Sequence, residues 1–296
     1  MNSRKAIIAG VFVVPVFLFG IIGNCLVVIA VSKKRSLRST TNYLLLNLAI
    51  SDVTCLIFSS MAVFAEYISL TSGTLTDIMC KFFISFNVPT MASIVSILTL
   101  TVLSVERYHA VVKPMKRWMR LKENTIKYAF CAIWLTGILF TLPMYINGYY
   151  KETSKSCRQY LYWSRLDYLI YQVSIISSVV FISFAVIVVC YFHIVRVLYF
   201  GKENVNFGEH SAAERLRNQR KRHVVKLSLS VTLVFVVFLL PLAVLTIMKF
   251  FNDRAFRSYY KIAAIFFFTE AGINPFLYAF QSTNFRHAFK HILKCS

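Results

Sequence analysis

Residues 93–112 read SIVSILTLTVLSVERYHAVV, an unbroken apolar run that stops on an adjacent acid and base, Glu106 and Arg107. Lipid offers no partner to unpaired backbone groups, so such a run forms a membrane helix and its charged end marks where hydrocarbon gives way to water. Working outward, seven runs of this kind lie near residues 6–32, 42–67, 80–107, 126–147, 168–198, 223–249 and 260–280. Each can cross about 30 Å of hydrocarbon at about 1.5 Å per residue. A hydrophobic content of 57% against 15% charged residues, with a mean hydropathy of +0.63, excludes an ordinary soluble domain. The first run lacks the small-residue cleavage pattern of a signal peptide and is expected to be retained. The expected fold is an all-α membrane protein: one seven-transmembrane helix bundle over residues 1–296, ending in a short amphipathic membrane-surface helix over 283–296.

The net charge of +21 taken alone suggests nucleic acid. Its placement argues for topology instead. The segments after spans one, three, five and seven carry two thirds of the 33 Lys and Arg, which sets the N-terminus outside and the C-terminus in the cytoplasm of a multi-pass cell-membrane protein. No nucleic-acid partner is expected, and the basic run RLRNQRKRH at 215–223 suits anionic membrane lipid. Five of the seven cysteines (Cys25, Cys55, Cys131, Cys190 and Cys295) fall in or just past spans on the bilayer or cytoplasmic side. Cys80 and Cys157 alone face the oxidising side, and the expectation is that they form a disulfide. No CxxC or Cys/His spacing suggests a structural or catalytic metal.

Counting inward from the basic ends places Asn24, Asp52, Ser96 and Asn274 at one depth, about 10 to 17 Å from the cytoplasmic boundary. An ionisable group there is costly unless it faces a wet or paired interior, which marks Asp52 as a functional candidate. Polar groups at one depth beneath an apolar outer section do not make the continuous path of a channel or transporter, the rival seven-helix class. Ser96 also has no histidine at its depth to serve an intramembrane hydrolase. No enzyme activity is expected.

With GN at 23–24, LNLAISD at 46–52, ERY at 106–108, Trp134, a Phe-rich run ending at Pro241 and NPFLY at 274–278, the chain resembles a rhodopsin-like (class A) G-protein-coupled receptor. The resemblance implies a receptor that binds an extracellular ligand and activates a heterotrimeric G protein. It assigns the coupling switch to Glu106, Arg107, Tyr108, Tyr191, Asn274, Pro275 and Tyr278, with Arg107 held by its neighbouring acid at rest. It also implies an inner polar site of Asn24, Asp52, Ser96, Glu270 and Asn274. Glu270 stands where the family usually has a neutral Asn, so two acids are expected to share a proton or a sodium ion, because both cannot ionise cheaply at one depth in a low-dielectric bundle. No cofactor beyond that sodium is expected.

The chain also departs from the family pattern. Lys221 and Arg222 stand where many relatives place an acid that clamps the span-three arginine, so a weaker restraint is expected. Ser183 replaces the usual span-five proline and Leu239 the usual span-six tryptophan, leaving Ile97, Phe235 and Pro241 of the core trigger. Pro241 still permits a kinked span six that pivots. Cys80 precedes Arg107 by two residues more than usual, and a local bulge near Pro89 is expected to absorb the difference.

Pro89, with Asn87 and Thr90 beside it, occupies the level where amine receptors carry an Asp, and Phe267 and Phe268 occupy that of the opsin lysine. Both ligand classes are therefore disfavoured. The ligand-pocket candidates are Asn87, Thr90, Arg165, Lys249 and Lys261. Basic residues and interleaved tyrosines around Cys157 favour a ligand with anionic and apolar parts: a peptide first, an acidic lipid or nucleotide second. In the C-terminal segment NFRHAFKHILKC, Phe285, Ala288, Phe289 and Ile292 share one helical face, and Cys295 beside it is expected to accept a palmitoyl group.

Overall fold

The computed structural model describes residues 14–65, 70–115, 121–154, 156–158, 161–200 and 212–294, with some side chains inside these ranges excepted. Among the described residues, seven helices are long and apolar enough to cross a membrane. The first, α1, runs Val14–Lys33 and α2 runs Thr40–Ala65, joined by a 3-10 turn at Arg35–Leu37. Helix α3 is built of Thr74–Met79, a π-helical turn at Cys80–Ile84 and Asn87–Val111. Its break at Ser85 and Phe86 puts Pro89 in the first turn of the restarted helix, where a missing N–H leaves no hydrogen bond unmade. The expected bulge is present, as a wide turn one step earlier in the chain.

Helix α4 spans Ile126–Asn147. Helix α5 runs Arg165–Ile175, widens into a π turn at Ile176–Phe181 and continues over Ile182–Phe200. The widened turn lies just before Ser183, the residue found in place of the family's proline. Helix α6 runs Ala212–Phe251 with Pro241 inside it, and α7 runs Asp253–Thr269, tightens into a 3-10 turn at Glu270–Gly272 and resumes over Asn274–Gln281. After a single extended residue, Ser282, helix α8 covers Thr283–Lys294. Phe285 and Ala288 are buried on one of its faces while Arg286, His287 and Lys290 point away from the bundle, as expected of a helix lying on a surface.

Helix α3 is the central stave, packed against α2, α4, α5 and α6. Helix α1 packs on α2, α7 and α8. Its approach to α7 depends on missing side chains: a Cβ added at Gly20 would lie 2.7 Å from Gly272 Cα, and one at Gly23 would lie 2.7 Å from Pro275 Cβ. Apolar side chains such as Phe19, Leu139, Val237 and Phe192 cover the outside of the bundle, the inverse of a soluble protein's surface.

Two short antiparallel strands close one end: β1 (Tyr149–Lys151) and β2 (Ser156–Arg158), with Tyr150 opposite Cys157. The Cys80–Cys157 disulfide forms, with its Cα atoms 5.5 Å apart, and ties this hairpin to α3. The Tyr150 N–H donates to Asp77 Oδ1 at 2.7 Å and its hydroxyl to the Leu70 carbonyl at 2.8 Å. Ser72 donates to Glu152 Oε2 at 3.0 Å.

Candidate functional site

Four helices bring buried polar side chains to one level of the bundle. From α7, Asn274 Nδ2 donates to Asp52 Oδ2 on α2 at 2.7 Å and to Glu270 Oε1 at 3.3 Å. From α3, Ser96 donates to Asp52 Oδ1 at 3.4 Å and shares a 2.8 Å hydrogen bond with Ser51. Asp52 is 1% exposed and Glu270 3%, so one carboxamide serves two carboxyl groups out of contact with water. Asn24 on α1 donates to the Ala271 carbonyl at 2.8 Å, within the 3-10 turn that carries Glu270. That turn interrupts α7 and so releases a backbone carbonyl from the helix ladder. All five expected members of the inner polar site therefore meet or adjoin. The carbonyl oxygens Asn24 Oδ1 and Asn274 Oδ1 are buried without a hydrogen-bond partner.

One step toward the periphery, Asn47 donates to Thr99 at 2.7 Å and accepts from the Trp134 indole at 3.0 Å, fastening α2 to α3 and α4. This staple explains the motif residue Trp134. Asn47 and Ser51 escaped the sequence reading because they sit inside the LNLAISD run without a charge to draw attention.

At the end of α3, Arg107 Nη2 lies 3.1 Å from Glu106 Oε1, with the side chains 12% and 2% exposed. The adjacent acid and base therefore pair with each other. Tyr191 is buried with its hydroxyl 3.5 Å from Thr232 Oγ1. Tyr278 is fully buried, stacks on Phe285 at 5.4 Å and has no hydrogen-bond partner for its hydroxyl. Tyr108 packs edge-on against His193 of α5. On α6, Arg222 Nη2 donates to the Leu198 carbonyl at 3.0 Å and so caps the C-terminal end of α5. The Lys221 side chain is outside the described residues.

Above the polar layer the buried contacts are aromatic. Phe235 meets Phe267 edge-on at 5.7 Å, Phe267 lies 5.5 Å from Phe268, and Phe268 stacks on Phe86 at 5.3 Å. This chain of rings joins the first turn of restarted α3 to the core of α6 through α7. Phe238 and Phe266 stack beside it at 4.2 Å. Ile97 is buried, Leu239 half-buried and Pro241 exposed. The rings occupy the region where the family's usual tryptophan is absent, and only the relative phase of three helices could have revealed them.

The ligand-pocket candidates fare unevenly. Asn87 is fully buried and donates to the Lys81 and Met144 carbonyls at 3.1 and 3.3 Å, so it braces the π turn against α4 rather than lining an opening. Asn87 opens the restarted helix, where its amide meets carbonyls left free at the π turn and at the end of α4. Thr90 is half-buried with its hydroxyl on the Phe86 carbonyl at 2.6 Å. The side chains of Arg165, Lys249 and Lys261, and all of Cys295, lie outside the described residues.

The family model described as "7 transmembrane receptor (rhodopsin family)" matches residues 23–278. The chain belongs to that family. It is similar to the allatostatin-A receptor of Bombyx mori, at 29% identity covering 96% of this chain and 80% of the relative. It is also similar to somatostatin receptor type 5 of Bos taurus, at 28% identity covering 98% and 77%. A third relative, the QRFP-like peptide receptor of Branchiostoma floridae, is 26% identical over 96% and 77%. This chain is thus a multi-pass membrane receptor of the G-protein-coupled class, and not an enzyme.

Proposed function

We propose that the receptor binds a peptide on the hairpin side of the bundle and transmits its presence to a heterotrimeric G protein at the Glu106–Arg107 end. The N-terminus and hairpin are then extracellular and α8 cytoplasmic, in line with the distribution of basic residues. The observation that carries the reading is the ring chain Phe86–Phe268–Phe267–Phe235, which leads from beneath the hairpin to the part of α6 below Pro241. Pro241 removes one backbone donor and leaves the Val237 carbonyl without its helical partner, a place for α6 to pivot. A ligand that shifts the rings then biases the population in which α6 swings and Arg107 changes partners. Peptide is favoured over acidic lipid or nucleotide because relatives are named for allatostatin-A, for somatostatin and as a peptide receptor.

The inner polar site suits one sodium ion. Asp52 and Glu270 would hold it with Ser96, and the two unpartnered amide oxygens supply neutral donors of the kind a hard cation takes. When bound, the ion would neutralise the paired carboxyl groups and tie α2, α3 and α7 together. Thermal unfolding of the purified receptor is expected to shift upward with sodium but not with choline, and Glu270→Asn is expected to change that response. A response to pH alone would assign a shared proton in place of the ion. The coupling reading is tested with full-length receptor in lipid nanodiscs by following guanine-nucleotide exchange on added G protein. Stimulation by members of a peptide library supports it; stimulation confined to acidic lipids or nucleotides overturns the peptide assignment.

A further inference from the structure

Among the described residues, one side-chain hydrogen bond joins the cytoplasmic half of α6 to α7, and no motif of the chain contains it. Gln281 Nε2, at the last residue of the segment Asn274–Gln281, donates to Ser230 Oγ on α6 at 3.0 Å. Neighbouring hydroxyls on α6 donate within their own helix, Ser228 to the Val224 carbonyl and Thr232 to the Ser228 carbonyl, and Thr232 also meets Tyr191 of α5. Gln281 Oε1, in contrast, is buried with no hydrogen-bond partner. The carboxamide is therefore satisfied on one side only, and its unmet oxygen offsets much of what the Nε2 bond contributes.

We propose that Gln281 and Ser230 are positioning residues of the activation switch, a shallow latch that holds α6 against α7 in the resting receptor. The inference rests on the reading that α6 pivots at Pro241. Ser230 lies eleven residues before that proline, on the part that swings. Swinging breaks the 3.0 Å contact and admits water to both halves of the Gln281 amide, so the open state recovers through hydration what the closed state lost at Oε1. A latch of this construction releases with a small bias, and it takes the place of a clamp at the base of α6, where Lys221 and Arg222 supply no acid.

The half-satisfied amide makes the two partners unequal. Ser230→Ala leaves all of the Gln281 amide unpaired in the closed state and is expected to raise the open fraction about three- to tenfold. Gln281→Leu removes the bond and the unmet oxygen together, so its effect is expected to be under twofold. Ser230→Ala added to Gln281→Leu is expected to do nothing more, and Ser230→Thr, which keeps the hydroxyl, is expected to behave as wild type. The measurement is the distance distribution between spin labels at the exposed positions 226 on α6 and 287 on α8, in ligand-free full-length receptor in nanodiscs, with basal nucleotide exchange measured in parallel. An unchanged distribution in Ser230→Ala, or a shift of equal size in the Gln281→Leu background, would overturn the latch. Wild-type receptor that never stimulates exchange would strike the coupling reading alone, because the label distances still report whether the pair holds the helices.

Discussion

Among the described residues, two buried arrangements of acids are built in opposite ways. At the inner polar layer, Asp52 and Glu270 come from different helices and share the amide of Asn274, with Ser96 supplying a second donor. At the end of α3, Glu106 and Arg107 are chain neighbours that pair with each other at 3.1 Å. Taking the first apart requires moving helices, so it belongs to the architecture of a state. The second can exchange partners by side-chain rotation while α3 stays in place. On the proposed function, the first would differ between global states and the second would be a local charge whose partner changes with the state.

The largest effect expected on this comparison comes from breaking the frame behind the layer. Gly20→Leu would force α1 away from Gly272 and Leu56, which a Cβ would approach to 2.7 and 2.8 Å. The expected loss is about 3 kcal/mol, visible as reduced surface expression and a lower melting temperature, whereas Gly73→Leu, with nothing within 4 Å of its Cβ, should be silent. Asn274→Leu removes the donor common to both carboxyl groups and is expected to cost about 2 kcal/mol, measured as thermal unfolding of purified receptor. Equal stability of that variant and wild type would mean that the layer is held by something other than the shared amide.

Glu106→Gln sharpens the other side of the comparison. It keeps the shape of the pair and removes its charge, a change of about 1.5 kcal/mol, and the expected readout is a roughly tenfold rise in ligand-free nucleotide exchange with the melting temperature little altered. A melting loss as large as that of Asn274→Leu would place the pair with the architecture instead. The smallest effect is expected from Phe267→Leu, which keeps bulk but removes the ring linking Phe268 to Phe235. About 1 kcal/mol of aromatic contact is lost, and agonist efficacy should fall more than agonist affinity.

Much of this was legible in the chain because the relevant signals are local or periodic. Span positions follow from the length of apolar runs. The common depth of Asn24, Asp52, Ser96 and Asn274 follows from the constant rise of a helix, and Glu270, one turn from Asn274, came with them. Side-chain direction was less accessible. Asn87 could be placed at its level, but not the Lys81 and Met144 carbonyls that take up its amide, because they come from a helix break and from another helix. The ring chain needs the phases of α3, α6 and α7 at once. The Gln281–Ser230 contact joins residues 51 apart through an uncharged side chain with no pattern around it.

The Cys80–Cys157 link closes a stretch of 77 residues that contains the remainder of α3 and the whole of α4. During synthesis the first thiol must therefore wait, reduced, until two further membrane crossings are complete and its partner reaches the same compartment. Oxidation then certifies that α3 and α4 have taken up opposite directions across the bilayer. A chain in which α4 failed to insert would leave the two thiols on opposite sides of the membrane, unable to pair. The hairpin lid thus doubles as a record of correct insertion, and a pulse-chase assay of thiol accessibility should show protection appearing only after residue 157 has emerged.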